Sequence, residues 1–158
     1  MFASRSPAFG TFDCEGREVA VVRTVTVTRE LDADPDCVRA AILDVSEFMR
    51  AGGFDDVTVD GDVVTLANSV GLVTIELVLD VVDDPDAVLA YEQRDGVFEE
   101  MVTRYDLAET ADGVEVRATT EFALQARLVG PLLDATVIDR QRRVELNAQF
   151  DSLAARCE

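Results

Sequence analysis

The sequence predicts an α+β fold. A curved antiparallel sheet of about seven strands packs against one long C-terminal helix, with two short helices after the first strand. Three observations carry this. Val- and Thr-rich stretches alternate apolar and polar residues between turn signals, the mark of strands with one dry and one wet face. The pair Asp34-Pro35 follows the first stretch and starts a helical spacing. After Pro131 neither Gly nor Pro interrupts the chain as far as Arg156.

In order, Val19 to Leu31 reads as the first strand. Asp34 is suited to N-cap a helix with Pro35 at its first position, and Val38, Ala41 and Ile42 recur at helical spacing up to Leu43. Asp44 to Ala51 forms a second short helix that Gly52-Gly53 stops. Phe54 to Val59 then reads as a strand, Asp60-Gly61 as a hairpin turn and Val63 to Asn68 as the returning strand. Gly71 marks a bend or bulge. From Leu72 to Val82, the residues Val73, Ile75, Leu77, Leu79 and Val81 share one face. Asp83-Asp84-Pro85-Asp86 is turn chemistry. Val88 to Arg94 and Val97 to Leu107 flank a second hairpin signal, Asp95-Gly96. The latter strand carries Val97, Met101, Tyr105 and Leu107 on one face. After Ala111-Asp112-Gly113, the residues Val114, Val116, Ala118, Phe122 and Leu124 share the dry face of the last strand. A helix from Pro131 to about Arg156 would be roughly 39 Å long, enough to cross the sheet. Its apolar side is read as Leu133, Val137, Val144 and Ala148, with Leu146, Phe150, Leu153 and Cys157 drifting beside it.

The chain of 158 residues suits one domain. Residues 1–16, of mixed character with Pro7, Gly10 and Gly16, read as an N-terminal arm, and residues 17–158 as the domain. No apolar run approaches the ~20 residues that span a bilayer, and Met1 to Phe12 contain no apolar core of a signal peptide. A cytoplasmic location, with no integral membrane segment, is the expectation.

Charge is the most unusual feature. There are 32 acidic residues against 14 basic ones, a net charge of −18. Every basic residue is Arg, and Lys and His are both missing. Such a charge repels itself in dilute buffer and is screened at molar salt, where the Debye length falls to about 3 Å. The composition resembles that of proteins from extreme halophiles, so most carboxylates are assigned to a solvated surface. Nucleic acid, whose binding needs phosphate neutralisation, is a poor partner. An anionic membrane surface is disfavoured for the same reason. Without His, the common catalytic triads and His-metal sites are excluded. Cys14, Cys37 and Cys157 form no C-x-x-C pair. The acidic group Asp55, Asp56, Asp60 and Asp62 lacks the spacing of a calcium loop. No metal and no cofactor are expected.

Three segments resemble the START-like superfamily, also called the polyketide cyclase/dehydrase and lipid-transport (SRPBCC) superfamily. Thr28-Arg-Glu-Leu-Asp-Ala-Asp-Pro35 looks like its entry from strand to helix, and Val38-Arg-Ala-Ala-Ile-Leu-Asp44 is similar to its first helix. The Trp common there is missing, with Arg39 beside Val38. Leu128-Val-Gly-Pro-Leu-Leu133 resembles the segment ahead of its long helix. These segments specify architecture and carry no catalytic signature. The resemblance covers about Val19 to Cys157 and implies a helix-grip (START/Bet v1-like) fold with a cavity between sheet and helix.

Members of the superfamily include lipid carriers, quinone-binding proteins, plant hormone and allergen-type binders, aromatic-polyketide cyclases and chaperone co-factors. What it implies here is binding or transport of a small apolar molecule, such as a lipid, a quinone or an isoprenoid. The alternatives are a cyclase or dehydratase and a protein-interaction module, and a monomer is expected.

The inward faces of these elements carry Tyr91, Met101, Tyr105, Phe122, Leu133, Val137 and Ile138, an expected lining or a plain core. Glu99 falls on the apolar face of its strand and Gln93 on that of Tyr91, which makes both candidate head-group contacts. For Glu99 the competing reading is a strand end or a bulge that leaves it in water. No residue is assigned a catalytic role. For a cyclase, Glu99, Tyr91 and Tyr105 would have to converge in one cavity.

Overall fold

The structure is a computed structural model that describes residues 22–124 and 134–158. The predicted arm 1–16, the Leu128–Leu133 segment and the candidate Leu133 lie outside the described residues.

Strand β1 (Arg23–Leu31) leads into α1 (Pro35–Leu43) and α2 (Val45–Arg50). Six strands follow: β2 (Asp56–Asp60), β3 (Val63–Val70), β4 (Val73–Val82), β5 (Leu89–Asp95), β6 (Phe98–Glu109) and β7 (Val114–Leu124). The chain closes with α3 (Ala135–Cys157). The seven strands form one antiparallel sheet in the order β1-β7-β6-β5-β4-β3-β2. This is the predicted helix-grip architecture.

Local chemistry explains the boundaries. The Asp34 side chain accepts a hydrogen bond from the Asp36 amide at 2.9 Å and so caps α1, with Pro35 at its start. Asp134 does the same for α3, accepting from the Val137 amide at 2.9 Å. Gly71 is the first residue of a two-residue hairpin turn between Val70 and Val73, at φ 62°, where the sequence reading had a bend or bulge. Gly113 is required by close approach, because a Cβ there would stand 2.1 Å from the Leu31 carbonyl oxygen.

The core fills the space between the concave sheet face, α1, α2 and α3. Val25, Val64, Leu79, Tyr105, Val116 and Phe122 come from the strands, Ile42 and Met49 from the short helices, and Leu146, Phe150 and Leu153 from α3. One prediction, the buried side of α3, is corrected, and for Glu99 the reading of a bulge that leaves it in water is the one observed. The buried side of α3 is Ile138, Arg142, Glu145, Leu146, Gln149, Phe150 and Leu153, while Val144 is 58% exposed. In β6 the register shifts between Phe98 and Glu100, so Phe98 and Met101 are both buried and Glu99 and Glu100 both face water. The extra residue of a bulge turns the alternation by one position, which is why Glu99 leaves the apolar face.

Cys37 on α1 and Cys157 at the end of α3 form a disulfide across 120 residues of sequence. Among the described residues no helix is long and apolar enough to cross a membrane. Nor do three or more of these residues gather as metal ligands. Asp55, from the acidic group, instead accepts from the Ser69 amide at 3.0 Å.

Candidate functional site

Strand register creates the site. Tyr91 of β5 pairs with Thr103 of β6, and Thr103 pairs with Thr120 of β7. Three hydroxyls therefore stand in one row across the buried face of the sheet. On α3, Ile138, Arg142, Glu145 and Gln149 follow each other at steps of four, three and four residues and so share the face that meets this row.

Arg142 is 8% exposed and Glu145 6%. The Arg142 guanidinium donates from Nε to Thr120 Oγ1 at 2.9 Å. Its Nη2 donates to the Tyr91 hydroxyl at 2.5 Å and to Thr103 Oγ1 at 3.2 Å. From Nη1 it donates to Glu145 Oε1 at 3.2 Å. Glu145 Oε2 accepts from Asn68 Nδ2 at 2.8 Å and from Gln141 Nε2 at 3.2 Å. A buried charge is tolerated only when it is paired and hydrogen-bonded in this way. Burial works against the Arg142 charge, but the neighbouring Tyr91, Tyr105 and Glu145 outweigh it, and the guanidinium holds its proton more tightly than in water. Burial pushes the Glu145 carboxyl above the usual carboxylate range, against the pull of Arg142, Gln141 and Asn68. A second pair of buried polar groups lies deeper. The Tyr105 hydroxyl donates to Gln149 Oε1 at 2.6 Å, and Gln149 Nε2 donates to the Phe48 carbonyl at 3.3 Å.

Beside this cluster is a cavity of about 50 Å³ between the sheet and the N-terminal half of α3. Its apolar wall comes from Met49 and Phe54 near α2, from Leu66, Ile75, Leu77 and Leu79 on β3 and β4, and from Phe98, Met101 and Phe122 on β6 and β7. Ile138 adds an apolar contact from α3. The polar part is Asn68, Tyr91, Thr120, Gln141, Arg142 and Glu145. Phe54, Leu77 and Gln141 are half-buried and mark the rim.

The candidates named from sequence divide accordingly. Tyr91, Met101, Phe122 and Ile138 are on the cavity wall. Tyr105 is fully buried in the core behind it, 3.4 Å from Tyr91 hydroxyl to hydroxyl, and does not line the cavity. Val137 is half-buried and also off the wall. Gln93 ties the β5–β6 hairpin, accepting from the Phe98 amide at 3.0 Å and donating to the Phe98 carbonyl at 2.8 Å. Glu99 is exposed and away from the wall, so Glu99, Tyr91 and Tyr105 do not converge there.

Arg142, Glu145, Asn68 and Thr120 were missed. The signal existed for the first two, since Arg142 lies four residues from both Ile138 and Leu146 on the apolar stripe. It was masked by a composition that assigns helix charges to solvent.

A curved antiparallel sheet gripped by a long C-terminal helix, with two short helices after the first strand, is the architecture of the START/Bet v1-like class. Solved structures of similar fold include the Zhui aromatase/cyclase of a Streptomyces species, with TM-score 0.67 and 19% identity over 84% of this chain and 93% of that one. A START superfamily protein from Mycobacterium smegmatis aligns with TM-score 0.62 and 10% identity over 84% of this chain and 95% of that one. The major latex-like protein 151 of Panax ginseng does so with TM-score 0.57 and 11% identity over 85% and 97%. Residues 22–158 match the model of the polyketide cyclase / dehydrase and lipid transport family, and the chain belongs to that family. No curated protein sequence matches it. Family and fold together indicate small-molecule binding or a polyketide cyclase-type function.

Proposed function

We propose that this chain binds a small, mainly apolar molecule between the sheet and α3, with the polar end of the molecule at the Arg142–Glu145 cluster. The observation that carries the reading is the division of the cavity wall, apolar over most of its area and polar at one end. Such a division orients a ligand as well as holding it. A cavity of about 50 Å³ admits only a small group as it stands. A larger molecule enters by displacing Met49, Met101 and Phe54, of which the two methionines are the most adaptable. Among the described residues, the large apolar side chains left exposed are Leu43 on α1, Leu72 in the β3–β4 turn and Val144 on α3.

The test is native mass spectrometry of protein purified from its own host, then solvent extraction, beside a thermal-shift panel of quinones, isoprenoids and aromatic polyketide analogues. A stoichiometric bound species, or a raised Tm with one ligand class, is expected. A bare protein that no panel member stabilises would sink the reading.

One observation favours a second reading, a cyclase-type enzyme. Glu145, a buried carboxyl with raised proton affinity, lines the cavity next to Arg142, an arrangement suited to moving a proton on a bound polyketide. Loss of turnover in Glu145→Gln with ligand binding retained would separate catalysis from carriage.

A further inference from the structure

We infer that the molecule this cavity takes presents a neutral hydroxyl, as on a phenol or an alcohol, and not a carboxylate or a phosphate. The inference rests on the binding reading above and deepens it.

Arg142 is the one cationic side chain on the cavity wall among the described residues, and it is already committed. Four of its five N–H groups are used, on Thr120, Tyr91, Thr103 and Glu145. Glu145 in turn meets three donors, from Arg142, Asn68 and Gln141, and offers two acceptor oxygens, which is the bonding pattern of an ionised carboxylate. The pair is therefore neutral as a unit. An incoming anion would lose its hydration, meet a cation already compensated, and face the Glu145 carboxylate at short range.

A hydroxyl meets a different environment. Asn68 and Gln141 each give one amide N–H to Glu145, and among the described residues neither amide oxygen accepts a hydrogen bond. Both residues line the cavity, so two acceptors are available to a ligand O–H. The remaining Nη1 hydrogen of Arg142 can be donated to the oxygen of the same hydroxyl. A neutral donor–acceptor group thus completes the cluster without disturbing its charge balance.

The experiment compares phenol with benzoate, which share a ring and differ in the polar group, by titration calorimetry at neutral pH in molar KCl. Wild-type protein is expected to bind phenol at least tenfold more tightly than benzoate. In Glu145→Gln the uncompensated Arg142 is expected to shift that ratio at least tenfold toward benzoate. Asn68→Leu, which leaves the ion pair in place, is expected to weaken phenol without strengthening benzoate. Equal or tighter binding of benzoate by the wild type overturns the inference while leaving the binding reading intact. So does an unchanged ratio in folded Glu145→Gln. If that variant does not fold, the wild-type ratio and Asn68→Leu decide. Failure of both probes on the wild type overturns this inference, and the mass-spectrometric and thermal-shift test above decides the binding reading separately.

Discussion

At the scale of single residues the Arg142–Glu145 pair dominates. Both are buried between the sheet and α3, and each compensates the other. Removing one partner leaves an uncompensated charge. Arg142→Ala is expected to lower stability by about 3–5 kcal/mol, whereas the double change Arg142→Met with Glu145→Leu should be neutral or stabilising by about 1–4 kcal/mol. Urea unfolding of both variants checks this, and a double variant as unstable as the single one would contradict it. The raised proton affinity of Glu145 adds a pH signature. A carboxyl that binds its proton more tightly in the folded state contributes stability below its unfolded value and loses that contribution as pH rises through the folded one. The stability of the wild type minus that of Glu145→Gln should therefore fall as pH rises from the ordinary carboxylate range. A difference that grows with pH would mean that the pull of Arg142 exceeds burial.

Among the elements, α3 is the one that both closes the core and carries the site. Asp134 caps its start, and the Cys37–Cys157 disulfide ties its end to α1. Arg29 of β1 bonds Asp151 and Asn147 on the outer side and lies over the Phe150 ring, 5.8 Å from its centroid. With a sequence separation of 120 between the two cysteines, the bond removes much freedom from the unfolded chain. Cys37→Ala with Cys157→Ala is expected to lose about 2–5 kcal/mol. Reductant should lower the Tm of the wild type and leave that of the double variant unchanged. Equal sensitivity of the two to reductant would show that the bond is not formed in solution. The bulge in β6 acts at this scale too, since it turns Phe98 and Met101 to the cavity and Glu99 to water.

For the whole molecule the governing quantity is the net charge of −18. The ion pairs at the surface, such as Arg94–Asp80 at 2.5 Å and Arg143–Asp139 at 2.8 Å, are partly exposed and contribute little each. They cannot offset an excess of 18 carboxylates. Screening can, so Tm is expected to rise strongly between ~0.1 M and ~2 M KCl. A flat Tm over that range would contradict the reading of a salt-adapted protein.

Strand alternation, Asp-Gly turns and the Asp34-Pro35 cap are local signals, and they were enough to predict the order of elements and the seven-stranded sheet. Tyr91, Met101 and Phe122 could be assigned inward from strand alternation, which depends on each residue's own element, whereas the face read for α3 put Val144 on the buried side and not Arg142. What depends on two elements at once was not legible. The row Tyr91–Thr103–Thr120 exists only through strand register, and the disulfide only through the meeting of α1 with the end of α3. For Glu99 the sequence left two readings open, and the β6 bulge decided for water by one inserted residue. Sequence thus determined which elements form. Tertiary structure decided which charges are buried, because Arg142 and Glu145 can leave water only where Tyr91, Thr103, Thr120 and Asn68 arrive from other strands to bond them.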